Sequence, residues 1–195
     1  MRSTLSLLFA GGLLAALSAP ASAQIPFSVT ESGGAISDAN LSMFSLTLPG
    51  DIGDLLSLEL DIAGLTHTNP DDLEFILLKP TVGAITVLQD QGDGIAIDGV
   101  NLTFSDSALN AAPFGTELFS GTYRPLSGPA EGFNKFVDGT SVGAGLWTLL
   151  VIDDSAGDSG SFDSWTLRGT YVPEPMTMSL LALGAVATLR RRKRQ

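Results

Sequence analysis

The sequence of 195 residues carries 21 Asp and Glu against 10 Lys and Arg, a net charge of −11. A chain this acidic repels nucleic-acid phosphates and anionic lipid, so nucleic acid is not expected as a partner. The chain has no cysteine and one histidine. This excludes disulfides and leaves too few ligands for an ordinary zinc centre.

The first 23 residues have the three parts of a secretory signal peptide. Arg2 supplies the positive start, Leu5–Leu17 is a short apolar stretch, and Ala21 and Ala23 are small residues of the kind that a signal peptidase requires. We therefore expect cleavage before Gln24. A membrane anchor is the alternative, but the apolar stretch is shorter than the roughly 20 residues of a spanning helix.

Residues 24–171 show the period-two alternation of β-strands and no amphipathic helical period. Two alternating sets are predicted to face inward: Leu56, Leu58, Leu60 and Ile62, and Trp165, Leu167, Gly169 and Tyr171. The runs Leu73–Lys79 and Leu146–Ile152 are apolar on both faces, as expected of central strands. Further strands are predicted at Leu41–Leu48, Ala84–Leu88 and Val100–Phe104, with long loops over Ala108–Gly145. Many short strands separated by turn residues predict an all-β sandwich.

The single histidine, His67, would have to be the base of any Ser-His-Asp triad. No Gly-x-Ser-x-Gly motif accompanies it. We therefore predict no catalytic residue, and interpret His67 as a strand-end residue that bonds a neighbouring loop. The chain is expected not to be an enzyme.

The acidic residues leave calcium as the one cofactor to consider. Calcium takes six to eight oxygen ligands, and acidic loops that contain glycine can supply them. Asp72, Asp154 and Asp158 are the candidate ligands, with three aspartates in reserve: Asp71, Asp106 and Asp153. The alternative is that these residues only form turns, since Asp and Gly favour tight turns on backbone grounds.

Residues 172–195 form a tail of three parts. The motif Val172-Pro173-Glu174-Pro175 comes first, the apolar run Met176–Leu189 second, and the basic cluster Arg190–Arg194 last. The apolar run would be about 21 Å long as a helix, against a hydrocarbon core of about 30 Å. The positive-inside rule places the basic cluster in the cytoplasm and the acidic body outside, in agreement with a signal peptide.

This tail resembles the PEP-CTERM sorting signal of bacteria, because its motif, apolar helix and terminal basic cluster occur in the same order. The resemblance implies recognition by an exosortase, transient membrane anchoring, and cleavage near Pro173–Pro175. A permanent C-terminal anchor is the alternative.

The body resembles the P domain, or P/Homo B domain, of subtilisin-like proprotein convertases. The resemblance covers roughly Ser28 to Tyr171. It is carried by an ordered set of short motifs: Leu60-Asp61-Ile62, His67-Thr68, Asp72-Leu73-Glu74-Phe75, Phe104-Ser105-Asp106-Ser107-Ala108, Gly121-Thr122-Tyr123-Arg124-Pro125, Gly145-Leu146-Trp147-Thr148-Leu149, Asp153-Asp154, Gly157-Asp158-Ser159-Gly160 and Trp165-Thr166-Leu167. It implies a jelly-roll β-sandwich of the galactose-binding-like type. P domains usually follow a subtilisin-type catalytic domain, and no part of this sequence resembles one.

These features together predict an exported, non-catalytic surface or extracellular-matrix protein that binds a polysaccharide or a surface protein. Two alternatives stay open. The sandwich could be an accessory module of a secreted subtilisin-like serine endopeptidase, or a lectin-like module, which rests on fold analogy alone.

Overall fold

The computed structural model describes residues 23–137 and 143–173, which form a two-layered β-sandwich. The nine strands are β1 (Ile25–Ile36), β2 (Leu41–Leu48), β3 (Asp54–His67), β4 (Leu73–Lys79), β5 (Gly83–Gln89), β6 (Ile97–Phe104), β7 (Gly121–Tyr123), β8 (Gly145–Asp153) and β9 (Gly160–Val172). The described helical segments are short: the 3-10 turns Pro70–Asp72 and Phe133–Phe136, and the helix α1, Gly128–Glu131. The predicted all-β sandwich is confirmed.

The chain order of the sheets is that of a jelly roll. One sheet has the order β1-β9-β3-β6-β7 and the other β2-β8-β4-β5. The antiparallel pairs β1–β9, β2–β8, β3–β6 and β4–β5 are nested, as if one long hairpin were wound into two layers. The short β7 adds a parallel edge beside β6.

The core lies between the two sheets and is filled by the inward residues of both. Trp147 and Trp165, one from each sheet, are fully buried, as are Phe75 and Leu60. The predicted inward set in β9 is confirmed at Trp165, Leu167 and Tyr171, which are buried, whereas Gly169 is only partly buried.

The predicted inward set in β3 is wrong at its first member. Leu56 is 39% exposed, whereas Leu55 is buried. The pairing of β3 with β9 shifts by one residue between Leu55 and Ser57. An extra residue on one strand reverses the alternation at that point, and Leu58, Leu60 and Ile62 then follow as predicted.

The outer faces of the two sheets differ in chemistry. The five-stranded sheet presents polar side chains, including Thr30, Glu59, Asp61 and Arg168. The four-stranded sheet presents a surface that we call the apolar face. Its apolar members on β2, β4 and β8 are Leu41, Met43, Ile76, Leu78, Leu146, Leu150 and Ile152, and four polar residues lie among them: Ser45, Thr47, Glu74 and Thr148. Strands β4 and β8 were predicted to be apolar on both faces, and among the described residues each of them buries only one face.

Strand pairing accounts for the chain between the two predicted processing sites. β1 begins at Ile25, one residue after Gln24. β9 continues to Val172, which pairs with Asp54. Glu174, Pro175 and the rest of the tail lie outside the described residues, as does most of the predicted signal peptide. None of the helices described is long and apolar enough to cross a membrane.

Candidate functional site

Aspartates gather at the end of the sandwich where β3 and β8 finish, and we call this the acidic end. Strand pairing brings the strand ends together, because Leu73 lies opposite Asp153 and His67 lies opposite Gly160. The cluster consists of six aspartates from three connections between strands: Asp71, Asp72, Asp90, Asp153, Asp154 and Asp158. Five of the six were candidate calcium ligands.

His67 ends β3 and is buried against Asp153, which ends β8. Nε2 of His67 lies 3.3 Å from Oδ2 of Asp153, and both side chains are fully buried. Nδ1 of His67 accepts a hydrogen bond of 3.2 Å from the backbone N–H of Asn69. Gly160 packs so closely against the imidazole that no Cβ would fit there. The contact therefore links the end of one sheet to the end of the other.

This geometry confirms the interpretation of His67 as a strand-end residue bonded to a neighbouring loop. Both ring nitrogens face protein groups, and no part of the ring is open to solvent. Nε2 and Asp153 Oδ2 are close but are not aligned as a hydrogen bond. The pair is thus a buried polar contact within an apolar core, where losing either partner is costly.

Asp72 and Asp158 come together in the cluster as a pair of carboxyl groups. Burial raises the pKa of Asp72, and a hydrogen bond with Asp158 raises it further. Asn69 donates a 2.7 Å hydrogen bond from Nδ2 to Oδ2 of Asp72. Thr68 donates one of 2.7 Å from Oγ1 to Oδ1 of Asp158. Two carboxylates in contact repel each other unless a proton or a cation lies between them.

Asp154 lies beside this pair but contributes mainly through its backbone. Its N–H donates to the carbonyl oxygen of Asp72 at 3.0 Å. Its carboxylate is instead near Asp90, whose pKa is raised by burial and then by the charges of Asp154 and Asp71. The cluster therefore holds two separate groups of crowded carboxylates.

The calcium prediction stays a prediction. Within residues 23–137 and 143–173, no three His, Asp or Glu side chains are arranged to hold a metal ion. Asp106 lies apart, because its carboxylate accepts hydrogen bonds from the backbone N–H groups of Phe133 and Asn134. Asp106 thus satisfies the first backbone N–H groups of the second 3-10 turn through a contact between distant parts of the chain, not through a local turn.

Lys79 is a buried charge that the sequence analysis did not single out. Its Nζ donates to the carbonyl oxygens of Gly143 and Ala144, each at 3.0 Å, and lies 4.5 Å from the ring centre of Trp147. Burial lowers its pKa. Period two could have found it, since Lys79 is in phase with the inward residues Phe75 and Leu77.

Two clefts open on the polar side of the sandwich and share Ser57 and Glu59. One, of about 340 Å³, lies between Phe27 and Arg168. The other, of about 180 Å³, reaches Ser105 and Asp106. Arg168 is neutralised by Glu59 and by Asp61, to which its Nε donates at 2.7 Å. The clefts offer hydroxyls and carboxylates, which are groups that bond polyols.

Among solved structures, the chain is similar in fold to two from Aeromonas sobria. A crystal structure of its serine protease matches at 16% identity with a TM-score of 0.47, covering 81% of this chain and 29% of that chain. The complex of this protease with the chaperone ORF2 matches at 18% identity with a TM-score of 0.46, covering 83% and 29%. This chain therefore spans less than a third of each neighbour, and likeness at this level says nothing about activity. No family model and no curated protein matches the chain.

Proposed function

We propose that the chain is an exported, non-catalytic surface or extracellular-matrix protein, and that its P-domain-like sandwich is a binding or structural module. An exosortase recognises the tail, and membrane anchoring lasts only until cleavage. The observation that carries this proposal is the position at which the last paired strand, β9, ends. β9 is paired with β1 through Tyr171 and with β3 through Val172. Cleavage near Pro173–Pro175 would therefore remove no strand and leave the jelly roll intact.

The processing of both ends can be measured directly. Mass spectrometry of material recovered from the cell surface should show a chain that begins at Gln24 and ends near Pro173–Pro175. The same protein from a host without an exosortase should retain Met176–Gln195. Surface material that still carries this segment would make the tail a permanent anchor and overturn the sorting proposal.

The absence of activity in this proposal rests on the buried position of His67. We expect the purified protein to hydrolyse no peptide, because a fully buried imidazole with both nitrogens facing protein groups cannot reach a substrate. A peptidase activity that persists through purification and is lost in His67→Ala, while Leu60→Ala retains it, would contradict this. Leu60 is equally buried in the same strand and controls for loss of stability.

A role as an accessory module of a secreted subtilisin-like endopeptidase makes a different prediction. Such a module should raise the melting temperature or the yield of a subtilase that lacks its own P domain when the two are exported together. A surface module should leave both unchanged. The carbohydrate alternative is tested on a glycan array. The variant Arg168→Ala serves for comparison, because it removes one of the side chains that line the larger cleft.

A further inference from the structure

The apolar face is a feature of the sandwich that the proposed function does not use. Met43 is 64% exposed, Leu146 48% and Leu41 45%, although all three lie in regular strands. Cross-strand pairing makes the surface continuous, since Met43 lies opposite Leu150 and Leu150 lies opposite Ile76. Contiguous exposed apolar surface of this kind marks a site where something else binds.

The outer surface of the four-stranded sheet runs the length of β2, and its apolar residues are densest toward Leu41 and Ile152, since Ser45, Thr47 and Thr148 separate them from Leu146. Its strand β2 has 8 residues and spans about 26 Å. One end of the face, at Leu41 and Ile152, is the acidic end, because the next residue after Ile152 is Asp153. The opposite end, at Leu146, lies where Gly143 and Ala144 bond to the turn before β3.

The C-terminal segment leaves the sandwich at that opposite end. Val172 pairs with Asp54, the first residue of β3. Three extended residues, 173–175, cover about 10 Å, which is also the usual separation of two packed sheets. The chain can therefore reach the plane of the four-stranded sheet by Met176, and the first residues of the apolar run would carry it around to the outer face. As a helix, the whole run Met176–Leu189 would be about 21 Å long, against about 26 Å for β2.

Charge matches as well as length. A tail laid along the face from Leu146 toward Leu41 would bring Arg190–Arg194 to the acidic end. There, burial and then the neighbouring carboxylates raise the pKa of Asp72 and of Asp90. Among the described residues, the ion pairs are His67 with Asp153 and Arg168 with Glu59 and Asp61. Five basic residues would relieve this crowding.

We propose that, before sorting, the segment Met176–Leu189 packs on the apolar face and the cluster Arg190–Arg194 contacts the acidic end. The sandwich thereby shields its own apolar tail from water, and the membrane or the sorting enzyme must displace the tail from this face. This inference adds a state before sorting to the proposed function. It rests on that function in one respect, which is that the exported sandwich still carries its tail.

Cross-linking tests the proposal, since the chain has no cysteine of its own. The protein is exported from a host without an exosortase, so that the tail is retained and the predicted signal peptide is gone. One variant carries Met43→Cys with Ala185→Cys. Its control carries Thr30→Cys with Ala185→Cys; Thr30 is an exposed residue on the edge strand of the other sheet. Both are oxidised at micromolar concentration in low salt.

We expect the Met43 variant to form an intramolecular disulfide at least tenfold faster than the Thr30 variant. Replacing Arg190–Arg194 with glutamines should slow the reaction, and vesicles of phosphatidylglycerol and phosphatidylethanolamine should compete with it. Equal rates for the two variants would overturn the proposal. A covalent dimer through Met43 would also overturn it and assign the face to a second copy. Neither result bears on the mass-spectrometric test of sorting, so the two proposals fail separately.

Discussion

The buried contact between His67 and Asp153 gives the sharpest test of how the sandwich is held together. In His67→Leu, the Asp153 carboxylate stays buried and loses the imidazole that faces its Oδ2. Removing one partner of a buried pair typically costs about 3–5 kcal/mol. Here the lower half of that range is expected, because Oδ1 of Asp153 keeps a 3.3 Å bond from the Ser155 backbone N–H. The contact is also imperfectly aligned.

A loss of about 3 kcal/mol corresponds to a fall in melting temperature of about 6–12 °C for a chain of this size. The double variant His67→Leu/Asp153→Leu should recover much of this loss, since apolar replacement of both partners is often close to neutral. Thermal melting by circular dichroism and urea unfolding measure the stability of the parent chain, the two single variants and the double variant. The reasoning would be refuted by a single variant that melts within about 2 °C of the parent chain, below the shift expected for 1 kcal/mol. A double variant as unstable as the sum of the singles would also refute it.

Three further predictions concern the other charged groups. Asp158→Asn removes a carboxyl that raises the pKa of Asp72. Because the pKa of Asp72 is raised, the folded chain binds a proton more readily than the unfolded chain does. The pair therefore adds stability as the pH falls from 7 toward the ordinary aspartate pKa of about 3.9. Urea unfolding across this range should show a smaller gain in the variant than in the parent chain, and an equal gain would contradict the pairing. If calcium binds there, a hundredfold excess over Kd raises the free energy of unfolding by about 2.7 kcal/mol. The melting temperature in millimolar Ca²⁺ should then be higher than in EDTA or in Na⁺ of matched ionic strength, and equal melting temperatures would leave these aspartates as turn residues. Lys79→Met removes a donor from the carbonyls of Gly143 and Ala144; Gly143 keeps a 2.9 Å bond from Nε1 of Trp147, and Ala144 loses its side-chain donor. The loss should cost about 1–3 kcal/mol in urea unfolding, whereas a stabilised variant would show that the desolvated charge outweighs its bonds.

Local pattern was enough to predict the strands that have a regular period. β2 and β4 have the bounds that alternation predicts, and β5, β6 and β8 extend theirs by one to three residues. The edge strand β1 was missed, because its outward and inward residues are both partly polar. Leu56 was misplaced, because a bulge depends on the partner strand β9 and leaves no mark in the sequence of β3 itself.

The candidate site could be predicted only in composition. Acidic turn residues were visible at Asp72, Asp154 and Asp158, yet which carboxylates meet depends on how the loops after β3 and β8 fold against each other. Asp72 and Asp158 are 86 positions apart in the chain and become a pair only because β3 and β8 end, and β4 and β9 begin, at the same end of the sandwich. Asp106 resembles them in sequence and lies elsewhere as a helix cap.

The sequence by itself determined the class of fold, the segregation of charge to the C-terminus and the strands that are apolar on both faces, because these follow from period and composition along the chain. Only the tertiary structure decided which apolar side is buried. Burial depends on which sheet covers which, and the jelly-roll order places the second side of β4 and β8 outward. The same order puts the exit of the chain at Val172 and the acidic end at opposite ends of that face. A relation between segments so distant in sequence exists only once the strands are paired.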